Sequence, residues 1–221
     1  MAVTTENRRP IQQLDDDTIG HIAAGEVVER PAQVVKELVE NSIDAGASRI
    51  RVEIERGGFD RISVIDDGGG IPADELELAV TRHATSKLAT ANDLSAIHTL
   101  GFRGEALASI GMVSGLSVAS RTENSEGMRI GVDDGAKKPL EPAGIAPGTV
   151  IEVCNLFANI PARLSFQKRP STESAAIVDI VVSQALCNST IGFTVSVDGR
   201  NVLETPPGVQ MSDRLFDLIG A

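Results

Sequence analysis

Residues 30–45 read RPAQVVKELVENSIDA, and this stretch decides the fold because its side chains separate onto two faces of a helix. Pro31 suits the first turn of that helix, where its missing N–H costs nothing, and Gly46 suits the exit. The apolar side chains recur at the spacing of a stripe that packs against a core. They are Val34, Val35, Leu38, Val39 and Ile43. We therefore predict an amphipathic helix over residues 30–45.

The opposite face of this helix carries three carboxylates and one amide, from Glu37, Glu40, Asn41 and Asp44. Like charges one turn apart repel by roughly a few tenths of a kcal/mol per pair, and such a face is ordinarily solvated acidic surface. The alternative is a site that needs a carboxylate base and an oxygen ligand for a hard cation. Glu37 and Asn41 are one turn apart and could form that pair.

The chain of 221 residues is long enough for one domain with a real core or for two small ones, and 42% hydrophobic residues argue against disorder. No apolar run approaches the length that spans a membrane, and the first residues lack the apolar core of a signal peptide. A net charge of −11 opposes non-specific nucleic-acid binding by the domain as a whole. We expect a cytoplasmic protein with no membrane partner, in which Cys154 and Cys187 are buried, reduced and not metal ligands.

The remaining elements are predicted from alternation, turn residues and helical spacing. We predict strands at residues 49–56, 61–65, 116–121, 128–132, 150–153, 193–197 and 202–205. We predict helices at 18–28 with a break at Gly25, at 74–82, beginning within 101–107, and at 171–186. Residues 1–17 are expected to form a mobile polar arm, 81–105 a mobile loop and 136–148 a loop. Strands joined mainly by hairpins, with helices grouped between them, indicate an α+β fold of two layers, an α/β sandwich.

Common catalytic and phosphate-binding motifs are absent, including G-x-x-x-x-G-K-[ST], H-E-x-x-H, G-x-S-x-G and a G-x-G-x-x-G between strand and helix. Asp66 instead ends a predicted strand and begins a D-x-G-x-G turn with Gly68 and Gly70. A carboxylate there could accept the exocyclic amine of adenine and would repel the carbonyl that guanine presents at the same place. An ordinary turn is the alternative, because Asp-Gly-Gly-Gly is common in turns.

Two further glycine-containing segments are candidates for nucleotide contacts. Residues 101–104, GFRG, lead into a helix, so their backbone N–H groups and the helix dipole could cradle phosphates. A loop with a helix cap explains the same residues. Thr149 follows Gly148 at the start of a strand and is either a ligand contact or a plain strand residue. Each motif is weak alone, and their order along the chain carries more information.

Taken together and in order, four segments resemble the MutL mismatch-repair branch of the GHKL ATPase superfamily, which has the Bergerat fold. The segments are IAAGEVVERPAQVVKELVENSIDAGA, RHATSK, LGFRGEALASI and NLFANIPAR. The resemblance runs from about residue 19 to residue 166 and is looser beyond. It implies a two-layer α/β sandwich with a mixed, mainly antiparallel sheet, formed by residues 18–221.

The resemblance also implies roles for individual residues, with ATP and Mg²⁺ as cofactors. Glu37 corresponds to the general base that activates the attacking water, Asn41 to the Mg²⁺ ligand, and Asp66 to the residue that reads adenine. The remaining positions surround the nucleotide. Gly68 and Gly70 leave room for the base, Thr149 supports it through water, and a lid that reaches the phosphates contains Thr85, Lys87, Phe102, Arg103 and Gly104.

The same resemblance implies a switch. ATP binding would order the lid and the N-terminal arm and bring two copies together, and slow hydrolysis would release them. MutL proteins continue into a second, transducer domain, whose lysine reaches the γ-phosphate, and into a C-terminal dimerisation domain. Neither is in this chain, so we expect very weak turnover. The implied partners are a second copy, a mismatch-recognition protein of the MutS type and, in the full-length protein, DNA.

Two alternatives stay open. A topoisomerase-like GHKL relative would share the nucleotide site but not the GFRGEAL and NIPAR segments. An interaction module would hold nucleotide without turning it over and act through partners. For DNA, the candidate contact is a small basic cluster of Arg163, Lys168 and Arg169, although three basic residues together are ordinarily solvated surface.

Overall fold

The computed structural model describes residues 11–87, 100–101 and 104–219. Its helices are α1 (Asp16–Val27), α2 (Pro31–Asp44), α3 (Leu76–Ala79), α4 (Ala106–Met112), α5 (Pro161–Ser165), α6 (Pro170–Cys187) and α7 (Met211–Ile219). Its strands are β1 (Arg49–Glu55), β2 (Arg61–Asp66), β3 (Gly115–Arg121), β4 (Met128–Asp133), β5 (Ala136–Lys137), β6 (Glu141–Pro142), β7 (Gly148–Cys154), β8 (Gly192–Val197) and β9 (Arg200–Thr205).

The strands of the described residues form one sheet in the order β5-β4-β3-β7-β2-β1-β8-β9, with β6 beside β4. Neighbouring strands are antiparallel, except that β1 and β8 run parallel. The predicted mixed, mainly antiparallel sheet is therefore confirmed. The register of β2 against β7 pairs Asp66 with Thr149. Strand pairing thus brings together two residues that are far apart in the sequence.

The alternation along β1 explains the two-layer packing. Ile50, Val52 and Ile54 are buried, whereas the residues between them are exposed or partly exposed. The apolar stripe of α2, which includes Val35 and Leu38, is buried in the same core cluster. One face of the sheet is thus covered by helices, and the predicted α+β sandwich is confirmed.

Two contacts that no local sequence pattern predicts hold α2 against α6. Arg30 immediately precedes α2, and its Nε and Nη2 each lie 3.0 Å from Oε2 of Glu173 in the first turn of α6. Within α2, buried Glu40 lies 3.1 Å from Nζ of Lys36 and accepts a hydrogen bond from Nε2 of Gln184 at 3.2 Å. The helix that carries the acidic face is therefore anchored to α6 by one ion pair and one hydrogen bond, in addition to its apolar stripe.

We expect Arg30→Met to lower the free energy of unfolding by about 3 kcal/mol, because it leaves Glu173 without its counter-ion. The Glu173 carboxylate is only 1% exposed, whereas the Arg30 side chain is 31% exposed and can turn to water. Glu173→Gln should therefore lower the free energy of unfolding by less than Arg30→Met does. Urea unfolding of both variants measures the difference, and a larger loss for Glu173→Gln would contradict this explanation.

The predicted break at Gly25 is wrong, because α1 continues through it to Val27. The guanidinium of Arg163 lies against this glycine, and a Cβ added there would be 1.3 Å from Nη2. Nη1 of Arg163 donates to the backbone oxygen of Val28 at 3.1 Å, which places a cation at the carboxyl end of α1. Gly25 therefore allows a close contact rather than a break.

Other boundaries also differ from the predictions. The helix predicted at 74–82 is a 3₁₀ turn, Ala73–Glu75, followed by the short α3, and the loop predicted at 136–148 contains β5 and β6. α5 and α7 were not expected. Arg214 of α7 is buried, and its Nη1 donates to three backbone oxygens between residues 185 and 191. The position of α7 thus depends on contacts that its own sequence does not reveal.

The prediction that both cysteines are buried is wrong. Cys154 is partly buried, because it ends β7 on the side opposite buried Val153, and Cys187 is exposed at the last residue of α6. Of the predicted arm, residues 1–10 lie outside the described residues, and α1 already begins at Asp16. Most of the predicted mobile loop, residues 88–99, also lies outside them. None of the described helices has the length and apolar character needed to cross a membrane.

Candidate functional site

Asp66 ends β2, and a hydroxyl from α2 orients its carboxylate. Ser42 Oγ lies 2.8 Å from Oδ2 of Asp66, and the backbone N–H of Gly68 donates to Oδ1 at 2.9 Å. Burial raises the pKa of Asp66 above its ordinary value, and hydrogen bonds from Ser42, Gly68 and the backbone of Thr149 oppose that rise. The structure therefore holds a buried, oriented acceptor beside α2.

The glycines after Asp66 allow the turn to approach two other backbone segments. A Cβ at Gly68 would lie 2.9 Å from the backbone oxygen of Ala45. A Cβ at Gly70, where φ is +72°, would lie 2.3 Å from the backbone oxygen of Arg121. These glycines are thus required by the packing of the chain itself, in addition to the role predicted for them beside a base.

A pair of buried hydroxyls lies on the β7 side of Asp66. Oγ1 of Thr149 is 2.9 Å from Oγ of Ser120 on β3. Ser120 Oγ also accepts from the backbone N–H of Ile71 at 2.8 Å, so it fixes the end of the glycine turn. Ser42 and Ser120 were not predicted. Ser42 could have been found from its place on α2, next to Asn41, whereas Ser120 approaches Thr149 only through strand pairing.

The amide and acidic side chains near the end of α2 surround a cation of the protein itself. Nζ of Lys87 lies 2.8 Å from Oδ1 of Asn41 and 2.5 Å from Oδ2 of Asp44. An amide oxygen and a carboxylate oxygen are hard donors, so this pair fits a hard divalent cation. No group of three or more His, Cys, Asp or Glu residues in the described ranges could hold a metal. A Mg²⁺ ion, which keeps waters and takes phosphate oxygens, does not need such a group.

α2 joins these two parts of the site. Asn41 and Ser42 are consecutive, so their side chains leave the helix about 100° apart. Asn41 meets Lys87, and Ser42 meets Asp66. Glu37 lies one turn before Asn41 on the same face and is partly buried. One rigid helix therefore carries the predicted base, the predicted metal ligand and the residue that orients Asp66.

The other predicted residues lie on the segments that approach α2 from outside. Thr85 Oγ1 accepts from the backbone N–H of Lys87 at 3.1 Å. Gly104 has φ of +63°, and a Cβ there would be 2.4 Å from the backbone oxygen of Ala84, so these two segments touch just before α4. Two predicted residues lie outside the described part of the chain, namely Phe102 and Arg103.

The predicted site lies apart from a hollow elsewhere on the sheet. A hollow of about 810 Å³ beside β3, β4 and the end of β7 is lined by none of the predicted site residues that the structure describes. Over the acidic side of α2, space is occupied by Lys87 and by Gly101, where an added Cβ would lie 3.5 Å from Oδ1 of Asn41. The predicted residues therefore converge on a place that the chain partly fills.

Only part of the basic cluster predicted to contact DNA is exposed. Arg163 is engaged within the fold, because its guanidinium donates to Val28 and lies 5.9 Å from the centroid of the Phe157 ring. Lys168 and Arg169 are exposed. The surface that could attract a nucleic acid is thus smaller than the sequence indicates.

Comparison with known proteins gives one family. Residues 29–135 match the model for histidine kinase-, DNA gyrase B- and HSP90-like ATPases. The DNA mismatch repair protein MutL of Rhizorhabdus wittichii is 48% identical over 208 residues, which cover 94% of this chain and 35% of that protein. MutL of Halobacterium salinarum is 47% identical over 212 residues, which cover 95% of this chain and 32% of that protein. The chain thus spans about a third of the length of these relatives.

Solved structures give the same result. The Aquifex aeolicus MutL ATPase domain complexed with ADP matches with a TM-score of 0.70 and 32% identity, over 87% of this chain and 70% of that one. The N-terminal domain of a DNA repair protein matches with a TM-score of 0.80 and 31% identity, over 95% of this chain and 63% of that one. On this combined likeness of sequence and fold, the chain belongs to the MutL family of DNA mismatch-repair proteins and corresponds to its GHKL-type ATPase domain.

Proposed function

We propose that the chain binds ATP, with Asp66 accepting a hydrogen bond from the exocyclic amine of adenine. The supporting observation is its buried carboxylate, 8% exposed, which Ser42 and Gly68 orient. Guanine presents a carbonyl oxygen where adenine presents the amine, and two acceptors repel. Thr149, held by Ser120, would support the base through water from the β7 side.

We further propose that α2 carries the chemistry. Asn41 would hold Mg²⁺ through its amide oxygen, and the ion, when bound, neutralises charge on the phosphates. Glu37, one turn away, would take the proton from the attacking water. Because both side chains belong to one helix, the base and the metal ligand keep a fixed separation. The phosphates would be approached by Thr85, Lys87, Phe102, Arg103 and Gly104.

Within the whole protein, this domain would act as a switch. ATP binding would order the lid and the N-terminal arm before α1 and favour a dimer of two such domains, and slow hydrolysis would release it. Family membership supports this proposal. We further propose that the whole protein acts in the cytoplasm, with a MutS-type mismatch-recognition protein and DNA as partners. Exposed Lys168 and Arg169 are the candidates for DNA contact.

Titration of this chain with non-hydrolysable ATP and GTP analogues, each with Mg²⁺, tests the proposal. We expect the ATP analogue to bind at least about 10²-fold more tightly, because a site built to accept one hydrogen bond rejects an analogue that lacks the donor. Isothermal titration calorimetry measures both affinities. Equal affinities would remove Asp66 from the role of adenine reader.

Hydrolysis by the full-length protein separates an ATPase from a module that only holds nucleotide, since the latter binds ATP without turnover.

A further inference from the structure

The carboxylate of Asp44 occupies an unfavourable position that the structure compensates. Asp44 is the last residue of α2, where the partial negative charge of the helix dipole disfavours an acid, and its side chain is only 9% exposed. Besides Nζ of Lys87, it accepts hydrogen bonds from the backbone N–H groups of Leu100 at 3.1 Å and Gly101 at 3.3 Å. Asp44 therefore fastens two separate segments of the chain to the end of α2.

The ammonium of Lys87 does more than balance Asp44. It lies 2.8 Å from the amide oxygen of Asn41, which is neutral and adds no charge of its own. An ordinary surface ion pair needs only its two charged groups and contributes little to stability. Here two hard oxygens converge on one positive group whose side chain is 20% exposed. This arrangement has the donors of an incomplete cation site.

We propose that Lys87 and a divalent cation exclude each other at Asn41 and Asp44, so that arrival of the metal releases Lys87 toward the phosphates. Mg²⁺ lies about 2.1 Å from its oxygen ligands. A metal at that distance from Oδ1 of Asn41 would repel an ammonium held 2.8 Å from the same oxygen. The exchange replaces one cation beside Asp44 by another, and the carboxylate never loses its counter-charge. The inference rests on the proposed function for the role of Asn41.

Nucleotide-free binding of Mn²⁺, used as a paramagnetic substitute for Mg²⁺, tests the exclusion in the full-length protein. Electron paramagnetic resonance reports the free ion, so it measures affinity without any turnover. We expect Lys87→Met to bind Mn²⁺ about tenfold more tightly than the unchanged protein, because the variant removes a competing positive charge from the ligand oxygens. Lys87→Gln, a second neutral variant, should show the same gain. The gain should disappear when Asn41→Ala is added to either variant.

Lys138→Met is the matched control. Lys138 also lies near a carboxylate, 3.7 Å from Asp133, but its side chain is 63% exposed, and it follows β5 at the edge of the sheet. It should leave Mn²⁺ binding unchanged. An unaltered or weaker affinity in both Lys87 variants would overturn the proposal, as would a gain that survives Asn41→Ala. Because no nucleotide is present, this result is independent of the comparison between ATP and GTP.

Discussion

Asp66→Asn is expected to abolish ATP binding while the fold stays intact. The change replaces one carboxylate oxygen by an N–H₂ group, which cannot accept a hydrogen bond from the adenine amine. The affinity for ATP should therefore fall by about 10⁴-fold. The asparagine keeps the local bonds, because its Oδ1 can accept from Gly68 and its Nδ2 can donate to Ser42. Ser42 can then donate to the backbone oxygen of Leu38, 3.1 Å away. Calorimetry with an ATP analogue and Mg²⁺ measures the loss of affinity.

The pKa of Asp66 explains why stability should survive. Burial raises this pKa, so the fold disfavours the ionised form at neutral pH. A group with a raised folded pKa stabilises the protein at low pH, and that contribution is lost as the pH rises through the raised value. Ionising Asp66 therefore costs folding free energy, and a neutral amide at this position avoids that cost.

Asp67→Asn is the matched control, because it should have the opposite effects. Burial opposes ionisation of Asp67, but hydrogen bonds from the Ser48 hydroxyl and from the backbone N–H groups of Arg49 and Ser48 outweigh it and lower its pKa. Its stabilising contribution is therefore present above the ordinary carboxyl pKa and is lost as the pH falls through the lowered value. Asp67→Asn should reduce stability at neutral pH and leave ATP affinity unchanged. Unaltered affinity in Asp66→Asn would refute the adenine assignment.

Glu37→Ala is expected to bind ATP normally and to hydrolyse it at least about 10²-fold more slowly in the full-length protein, the usual minimum for loss of a general base. Glu37 shares one face of α2 with Asn41, so the variant removes the proton acceptor without removing the metal ligand. Single-turnover hydrolysis measured beside nucleotide affinity separates the chemical step from binding.

Glu40→Gln supplies the comparison for this variant. Glu40 lies on the same helix and is buried, but it contacts Lys36 and Gln184 rather than the candidate site. It should retain hydrolysis within a few-fold of the unchanged protein. Hydrolysis that survives in Glu37→Ala would take Glu37 out of the catalytic role, and an equal loss in both variants would show that the effect is a general disturbance of α2.

The parts of the fold that could be predicted from sequence are those with local periodic patterns. The stripe of α2 and the alternation of β1 involve residues a few positions apart, and both elements occur as expected. α7 also has an amphipathic pattern, so its existence could have been predicted from sequence. Its position could not, because Arg214 holds it through backbone oxygens near the end of α6. The break predicted at Gly25 is wrong because the side chain that needs a small residue there, Arg163, lies on α5, far along the sequence.

The residues of the candidate site also differ in whether a local pattern along the sequence indicates them. Asn41 and Asp66 belong to short motifs that are weak alone and indicate a nucleotide site only through their order along the chain. In the structure, Asn41 precedes Ser42 on α2, and Asp66 at the end of β2 contacts Ser42. The contacts of Lys87 with Asn41 and Asp44 span more than forty residues, and no local pattern reveals them. Ser120 likewise reaches Thr149 only across the pairing of β3 with β7.

We propose above all that a purine triphosphate lies across α2, with its base at Asp66 and its metal at Asn41. A structure of this chain with a non-hydrolysable ATP analogue and Mg²⁺ tests it most directly. We predict the adenine amine within hydrogen-bond distance of the Asp66 carboxylate, the ion on Oδ1 of Asn41, and Lys87 displaced from that oxygen. An analogue bound in the hollow beside β4, or one whose amine points away from Asp66, would contradict the claim.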